Sequence, residues 1–313
     1  MLSSKSNNPE NPNQKTLIVV VGPTAIGKTA LAIELAKHYQ TEIISADSRQ
    51  FFREMSIGTA KPSEEELAAA PHHFINSHSV NQLFSTGDFE VEALALMDKL
   101  YTKHDVLVMV GGSGLYINAI CNGLDDMPDI DLNIREKLNQ QFTDQGIEPI
   151  RKQLAELDPE YFSKVDQSNP QRMIRGLEVV LSTGQKLSSF LTSNKKERPF
   201  NIIKIGLNTD REKLYNQINH RVDIMVQNGL VEEVKSLEAY KELNALKTVG
   251  YSEIFDYLDG KTDLPTAVDK IKQNTRRFAK RQLTWFRKDI ETVWFEPGQN
   301  EEVIGFVNQK FTP

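Results

Sequence analysis

Short apolar runs separated by stretches of helical spacing organise the first third of the chain. Residues 17–21, Leu-Ile-Val-Val-Val, form an unbroken apolar run rather than an alternating one. Such a run predicts a strand covered on both faces within a parallel sheet, here over 16–21. Residues 30–38 follow with Leu31, Leu35, Ala32 and Ala36 on one side of a predicted helix, and Ile43 and Ile44 form a second short strand. The pattern weakens over 51–89, then predicts a helix at 91–100 and a buried strand at 105–110. Residues 131–190 have helical spacing almost throughout. There Asn169-Pro170 supplies an N-cap with proline at the first helical position, and Met173, Leu177, Val180 and Leu181 form the expected buried stripe. A strand at 202–207, a helix at 211–227 with Leu214, Ile218, Val222 and Met225 at core spacing, and a last long helix at 272–288 complete the pattern.

Strands alternating with helices predict an α/β fold: a parallel sheet flanked by helices and interrupted by a helical insertion. The expected division is a disordered tail at 1–14, an α/β core at 15–124 and 200–313, and an inserted, mainly helical domain at 125–199.

Between the first strand and first helix lies Gly22-Pro23-Thr24-Ala25-Ile26-Gly27-Lys28-Thr29, which fits G-x-x-x-x-G-K-[ST] at every fixed position. The glycines let successive N–H groups turn inward onto phosphate oxygens, and the following helix adds the positive end of its dipole. Lys28 offers an ammonium to the terminal phosphate, and the Thr29 hydroxyl can sit on a Mg2+ that bridges phosphate oxygens. The core is therefore P-loop NTPase-like, and its ligand is an oligophosphate whose identity the loop leaves open.

Loops leaving the carboxyl ends of strands in such a sheet gather at one crevice. That rule puts Asp47, just after the second strand, near the phosphates; from spacing alone a turn or capping role and a catalytic one are about even. The strand at 105–110 ends in Gly111-Gly112-Ser113-Gly114 instead of the aspartate common to ATPases. His72, His73 and His78 do not make a metal site: adjacent histidines point apart in regular structure, and no carboxylate stands at ligand spacing. They are expected in loops or at caps.

Composition is that of a soluble globular protein, with 39% hydrophobic and 26% charged residues. The single Cys121 excludes an internal disulfide and is expected to be a small buried residue in a reducing compartment. No apolar run reaches membrane-spanning length and the start lacks a signal-peptide core, so the expectation is a cytoplasmic protein, and nothing demands more than a monomer. A formal charge of -6 repels nucleic acid overall, so any anionic partner needs a local basic patch. Residues 272–288 supply one, with seven basic residues and no acid. At 100° per residue, Arg276, Arg277, Lys280, Arg281, Arg287 and Lys288 fall within an arc of about 140°, opposite Phe278, Leu283, Trp285 and Phe286. That face is expected to meet phosphates, of a small substrate or of a nucleic acid.

Taken together, the chain resembles the tRNA dimethylallyltransferase family, also called tRNA isopentenyltransferases. The stretches that carry the likeness are 22–29, Ala46-Asp47-Ser48 with Gln50, Gly58-Thr59-Ala60-Lys61-Pro62, 111–116, Gln171-Arg172 with Arg175, Gly250-Tyr251 and 279–287, in the family's order. The resemblance implies transfer of a dimethylallyl group from its diphosphate, with Mg2+, to N6 of adenosine 37 in tRNAs reading codons that begin with U. It further implies that Asp47 is the general base and that Arg221 joins Lys28 and Thr29 on the diphosphate. By the same likeness Asp47, Ser48, Arg49, Gln50, Ser113, Arg135, Gln171, Arg172, Met173, Ile174 and Arg175 touch tRNA, with Lys280 and Arg281 added from the basic face. Ser113 stands where threonine is usual, and Arg49-Gln50-Phe51-Phe52 differs from the commoner run. Two other readings compete. An ATP-dependent small-molecule or nucleoside kinase explains the loop but not the insertion or the basic helix, and an NTP-switched RNA-binding module would not need Asp47.

Overall fold

The computed structural model describes residues 15–192 and 195–311; the tail expected at 1–14 lies outside the described residues. The chain divides into two compact units, Asn122–Glu197 and the sequence on either side of it.

In the α/β unit, β1 (Thr16–Val21) leads through the glycine loop into α1 (Lys28–His38) and β2 (Ile43–Ser45). Next come α2 (Glu64–Ala69), β3 (His72–His73), α3 (Thr86–Leu100), β4 (Val106–Val110) and α4 (Gly114–Asn122). The helical unit holds α5 (Leu132–Gln145), α6 (Glu148–Leu157), α7 (Pro159–Lys164), α8 (Pro170–Thr183) and α9 (Leu187–Phe190). The α/β unit then resumes with β5 (Asn201–Leu207), α10 (Arg211–Gln227), α11 (Leu230–Ser236), α12 (Tyr251–Leu258), α13 (Leu264–Phe286), β6 (Val293–Phe295) and α14 (Asn300–Phe311).

Six strands form one sheet in the order β3-β2-β4-β1-β5-β6, and every pairing is parallel. The period of two along β1 divides its side chains between two cores. Ile18 and Val20 pack with Leu31 and Leu35 of α1 and Val303 and Val307 of α14, whereas Leu17 and Val19 pack with Phe89, Ala93 and Met97 of α3. Cys121 is buried in this second core, and burial pushes its thiol up to about 11. A third cluster, centred on Tyr251, joins α10 through α13.

Several elements depart from the sequence pattern for local reasons. The helix expected at 91–100 begins at Thr86, because Ser85 and Asp88 form a capping box. The weak stretch 51–89 holds α2, itself started by a Ser63–Glu66 capping box, and an edge strand. That strand corrects the expectation of loop or capping histidines: His72 and His73 pair with Ile43 and Ile44, and His73 Nε2 lies 2.6 Å from Glu42 Oε2. The basic helix starts at Leu264 behind an Asp263 cap and ends at Phe286, and α14 follows it. In α8, Leu181 is 47% exposed while Ile174 is fully buried beside Met173 and Leu177 against α5 and α6.

Ile18→Ala on the central strand is expected to lower the free energy of urea unfolding by about 2–5 kcal/mol. Val91→Ala, on the exposed side of α3, should change it by no more than about 0.5 kcal/mol.

Candidate active site

The carboxyl ends of β2, β4 and β1 lie side by side, so the segments that leave them share one crevice. The crevice is a cleft of about 350 Å3 lined by residues 24–29, Ser45, Asp47, Gly111, Gly112, Arg221 and Gln282.

The glycine loop is shaped by contact as well as by sequence. Gly22 has φ +147°, and a Cβ there would stand 2.7 Å from the Leu207 carbonyl oxygen of β5. A side chain would push the loop off the sheet. Helix α1 opens at Gly27, with no side chain capping its N-terminus and no acid in its first turn. Its first N–H groups are left for an anion in the cleft. Lys28 Nζ donates to the Pro23 carbonyl at 2.7 Å. Burial pulls the Lys28 ammonium down to about 7; Arg221 lowers it further and Asp47 opposes them. Burial also lowers the Arg221 guanidinium, which Asp47 again offsets.

Asp47 fills a turn position and a cleft position at once. Its Oδ1 accepts from the Arg49 amide at 2.9 Å and the Gln50 amide at 3.4 Å, and among the described residues no donor reaches Oδ2. The neighbouring Ser48 amide donates to Ser113 Oγ at 3.0 Å, which ties the β2 and β4 loops together. Gln50 Nε2 donates to the carbonyls of Thr59 and Ala60 at 3.2 and 3.1 Å, and Arg221 Nη2 reaches the Ala60 carbonyl at 3.3 Å.

A second chamber of about 230 Å3 shares Thr24, Asp47, Thr59, Ala60, Arg221 and Phe278 with the first. Its walls add Ile218, Val222, Met225, Val249 and Ile271, with Ser48, Arg49 and Ser113 also lining it. A phosphate cradle therefore opens, past Asp47 and Arg221, into a largely apolar space.

Helix α13 serves this site in a way its charge pattern does not reveal. Its apolar arc is only partly core: Phe286 is buried, but Phe278 is 38% exposed at the cleft and Trp285, 43% exposed, lies across Gly114. Gln282, which sequence reasoning passed over, is buried between them. Its Oε1 accepts from the Thr24 amide at 2.8 Å and its Nε2 donates to the Gly112 carbonyl at 2.9 Å, so one side chain bridges two loops. The signal for it was a lone amide three residues after Ala279 and four before Phe286, on the buried side of a helix. Lys280, Arg281, Arg287 and Lys288 are all exposed.

In the helical unit, Arg135 and Arg175 converge on the fully buried Glu178. Arg135 Nη2 and Arg175 Nη1 lie 2.9 and 3.1 Å from Glu178 Oε2, and Arg135 Nε lies 2.8 Å from Oε1. Gln171 and Arg172 are exposed. Met173 and Ile174, also expected at the RNA, are both 0% exposed, because their side chains fill the core beneath α5 and α6.

The family model "IPP transferase" matches residues 50–289. The chain belongs to the IPP transferase family. It is 58% identical to a tRNA dimethylallyltransferase of Christiangramia forsetii over 92% of this chain and 95% of that protein. Among solved structures it is similar to the full-length tRNA isopentenylpyrophosphate transferase of Bacillus halodurans, with 36% identity, TM-score 0.70, and 95% of this chain and 97% of that one covered. It also resembles a eukaryotic dimethylallyltransferase captured acting on tRNA, at 25% identity and TM-score 0.76 over 90% of this chain and 74% of that one. IPP transferase membership disfavours the competing kinase reading of the phosphate loop.

Among the described residues no group of three or more His, Cys, Asp and Glu could hold a metal unaided. The cleft offers instead the hydroxyls of Thr29 and Ser45, oxygen donors that fit a hard cation carried mainly by phosphate oxygens.

Because Lys28 holds its proton loosely in the free cleft, an anion that restores its charge should draw a proton from solution at pH 8. Calorimetry of inorganic diphosphate binding in two buffers of different ionisation enthalpy is expected to register proton uptake in the wild type and less in Lys28→Met. Affinity should fall as pH rises above about 7, the direction set by a lowered lysine that loses its charge there.

Proposed function

We propose that this IPP transferase is a tRNA dimethylallyltransferase that moves a dimethylallyl group from dimethylallyl diphosphate to N6 of adenosine 37, beside the anticodon, in tRNAs reading codons that begin with U. The observation that carries the reading is the pairing of a phosphate cradle with an apolar chamber, with Asp47 and Arg221 where they join. A diphosphate fits the first part and a five-carbon allyl group the second.

In this reading the exocyclic N6 attacks C1 of the allyl group, the C1–O bond breaks, and diphosphate leaves. Asp47 takes the N6 proton as the new C–N bond forms, which helps because an adenine amine is a poor nucleophile. Lys28, Arg221 and the loop amides stabilise charge growing on the departing oxygen. Thr29 would hold a Mg2+ on the diphosphate, adding positive charge to the leaving group. The apolar walls keep water from the electron-poor allyl carbon, and the adenosine must leave its stack to enter.

For RNA, we assign Ser48, Arg49, Gln50 and Ser113 at the chamber to the incoming nucleotide. Lys280, Arg281 and Arg287 on α13 are assigned to phosphates, as are Arg135, Gln171, Arg172 and Arg175 in the helical unit. The exposed, acid-free run on α13 supports this in a chain whose net charge is -6. We propose that the enzyme works as a monomer. Among the described residues no helix is long and apolar enough to cross a membrane, and we place the enzyme with its tRNA in the cytoplasm.

Incubation with labelled dimethylallyl diphosphate and unmodified tRNA carrying A36-A37-A38 is expected to label the tRNA. Absence of label together with ATP-dependent phosphorylation of a metabolite would restore the kinase. Asp47→Asn should reduce transfer by about 10²–10⁴-fold with tRNA affinity largely kept. The pair Arg281→Ala and Arg287→Ala should weaken tRNA binding at low salt and reduce the slope of log affinity against log salt by about one for each phosphate left without its cation.

A further inference from the structure

Two stretches marked by the family likeness, 58–62 and Gly250-Tyr251, supply no group to the chemistry above. They meet at a carboxylate outside the cleft lining. Glu233 of α11 accepts from three successive backbone amides: Oε2 from Ser56 at 2.9 Å and Ile57 at 2.7 Å, and Oε1 from Gly58 at 3.0 Å. Its Oε1 also takes the Tyr251 hydroxyl at 2.6 Å. Tyr251 is fully buried, and its ring sits so close that a Cβ on Gly58 would stand 2.5 Å from it. Burial and the Glu233 charge push the Tyr251 hydroxyl well above its usual range, so it stays a donor.

Three amides converging on one anion define a tight turn, and the residues that leave this turn are the cleft wall. Thr59 and Ala60 present the carbonyls that hold Gln50 Nε2, and Ala60, at φ +49°, also holds Arg221 Nη2. The support continues behind the turn. The Gly250 amide donates to Glu253 Oε2 at 2.8 Å, and Asn274 of α13 donates to Glu253 Oε1 at 2.7 Å. A chain of polar contacts thus runs from α13 through α12 and Glu233 to the guanidinium facing Lys28 and Asp47.

We infer that Glu233 is a positioning residue for the reaction: by fixing the 56–60 turn it aims Arg221 at the leaving diphosphate. The inference rests on the prenyl diphosphate reading of the cleft. Glu233→Gln keeps the shape but faces backbone N–H groups with an amide donor in place of an oxygen, so the turn must shift.

The test is steady-state prenyl transfer to tRNA by wild type, Glu233→Gln, Arg221→Lys and the double variant, with thermal unfolding and tRNA affinity measured in parallel. Glu233→Gln is expected to raise KM for dimethylallyl diphosphate about tenfold while tRNA affinity stays within about twofold. Combined with Arg221→Lys it should add less than about threefold, because both changes remove one orientation. An unchanged KM with only a lower Tm, or effects that multiply in full, would overturn the inference and leave Glu233 a structural brace. Should Glu233→Gln fail to fold, Glu233→Asp, which keeps the charge and withdraws it by one methylene, is judged by the same criteria. A wild type that transfers no label would sink the prenyl-transfer reading itself, whereas an active wild type leaves only the role of Glu233 at stake.

Discussion

The arrangement of this protein depends on one constraint: β1 is sealed on both faces and paired in parallel on both edges. With β4 on one side and β5 on the other, its side chains have no route to solvent, and its backbone groups are committed to the ladder. The chain can change character only at the strand's end. There the loop meets the β5 carbonyl at Gly22 and turns straight into α1, which leaves the helix amides facing open space. Because β2 and β4 run the same way, Asp47 and Gly111-Gly112 are delivered to that same space.

The chemistry follows from contrast inside a small volume. One part of the crevice is lined by backbone amides and a desolvated lysine, the adjoining part by branched aliphatic and aromatic side chains, and Asp47 and Arg221 stand between them. In such surroundings charges act on each other more strongly than in water. The same burial that loosens the Lys28 proton in the free protein increases what that ammonium offers to an arriving anion. The aspartate is held by local amides instead of an ion pair, so its position is set before substrate arrives.

Helix α13 joins these parts. One face is exposed and cationic, one side anchors through Ala279 and Phe286, and Gln282 between them reaches both loops of the cradle. A surface suited to a polyanion and the floor of the cleft are therefore built on one rigid rod, which makes small changes on the rod costly to geometry at the site.

Local pattern was enough to locate β1, the glycine loop, α1, the span of α10 and the basic run of α13, because each depends on side-chain period or on motif chemistry carried within a few residues. Asp47 was also legible, since the direction of strands in a parallel sheet says where their loops go. What only the tertiary structure decided are contacts between segments far apart in sequence. Gln282 bonds a loop 258 residues away, and Glu233 holds amides some 175 residues before it. Local pattern can mark Gln282 as a polar residue on a buried side, but it names neither residue's partner, since an amide or carboxylate on a helix looks the same whichever distant turn it meets. For the same reason His72 and His73 became a strand only when β2 offered an edge. Likewise Ile174 became core, and Leu181 surface, only when α5 and α6 covered one side of α8. Periodicity specifies which residues share a face, while packing between elements chooses the face that is buried.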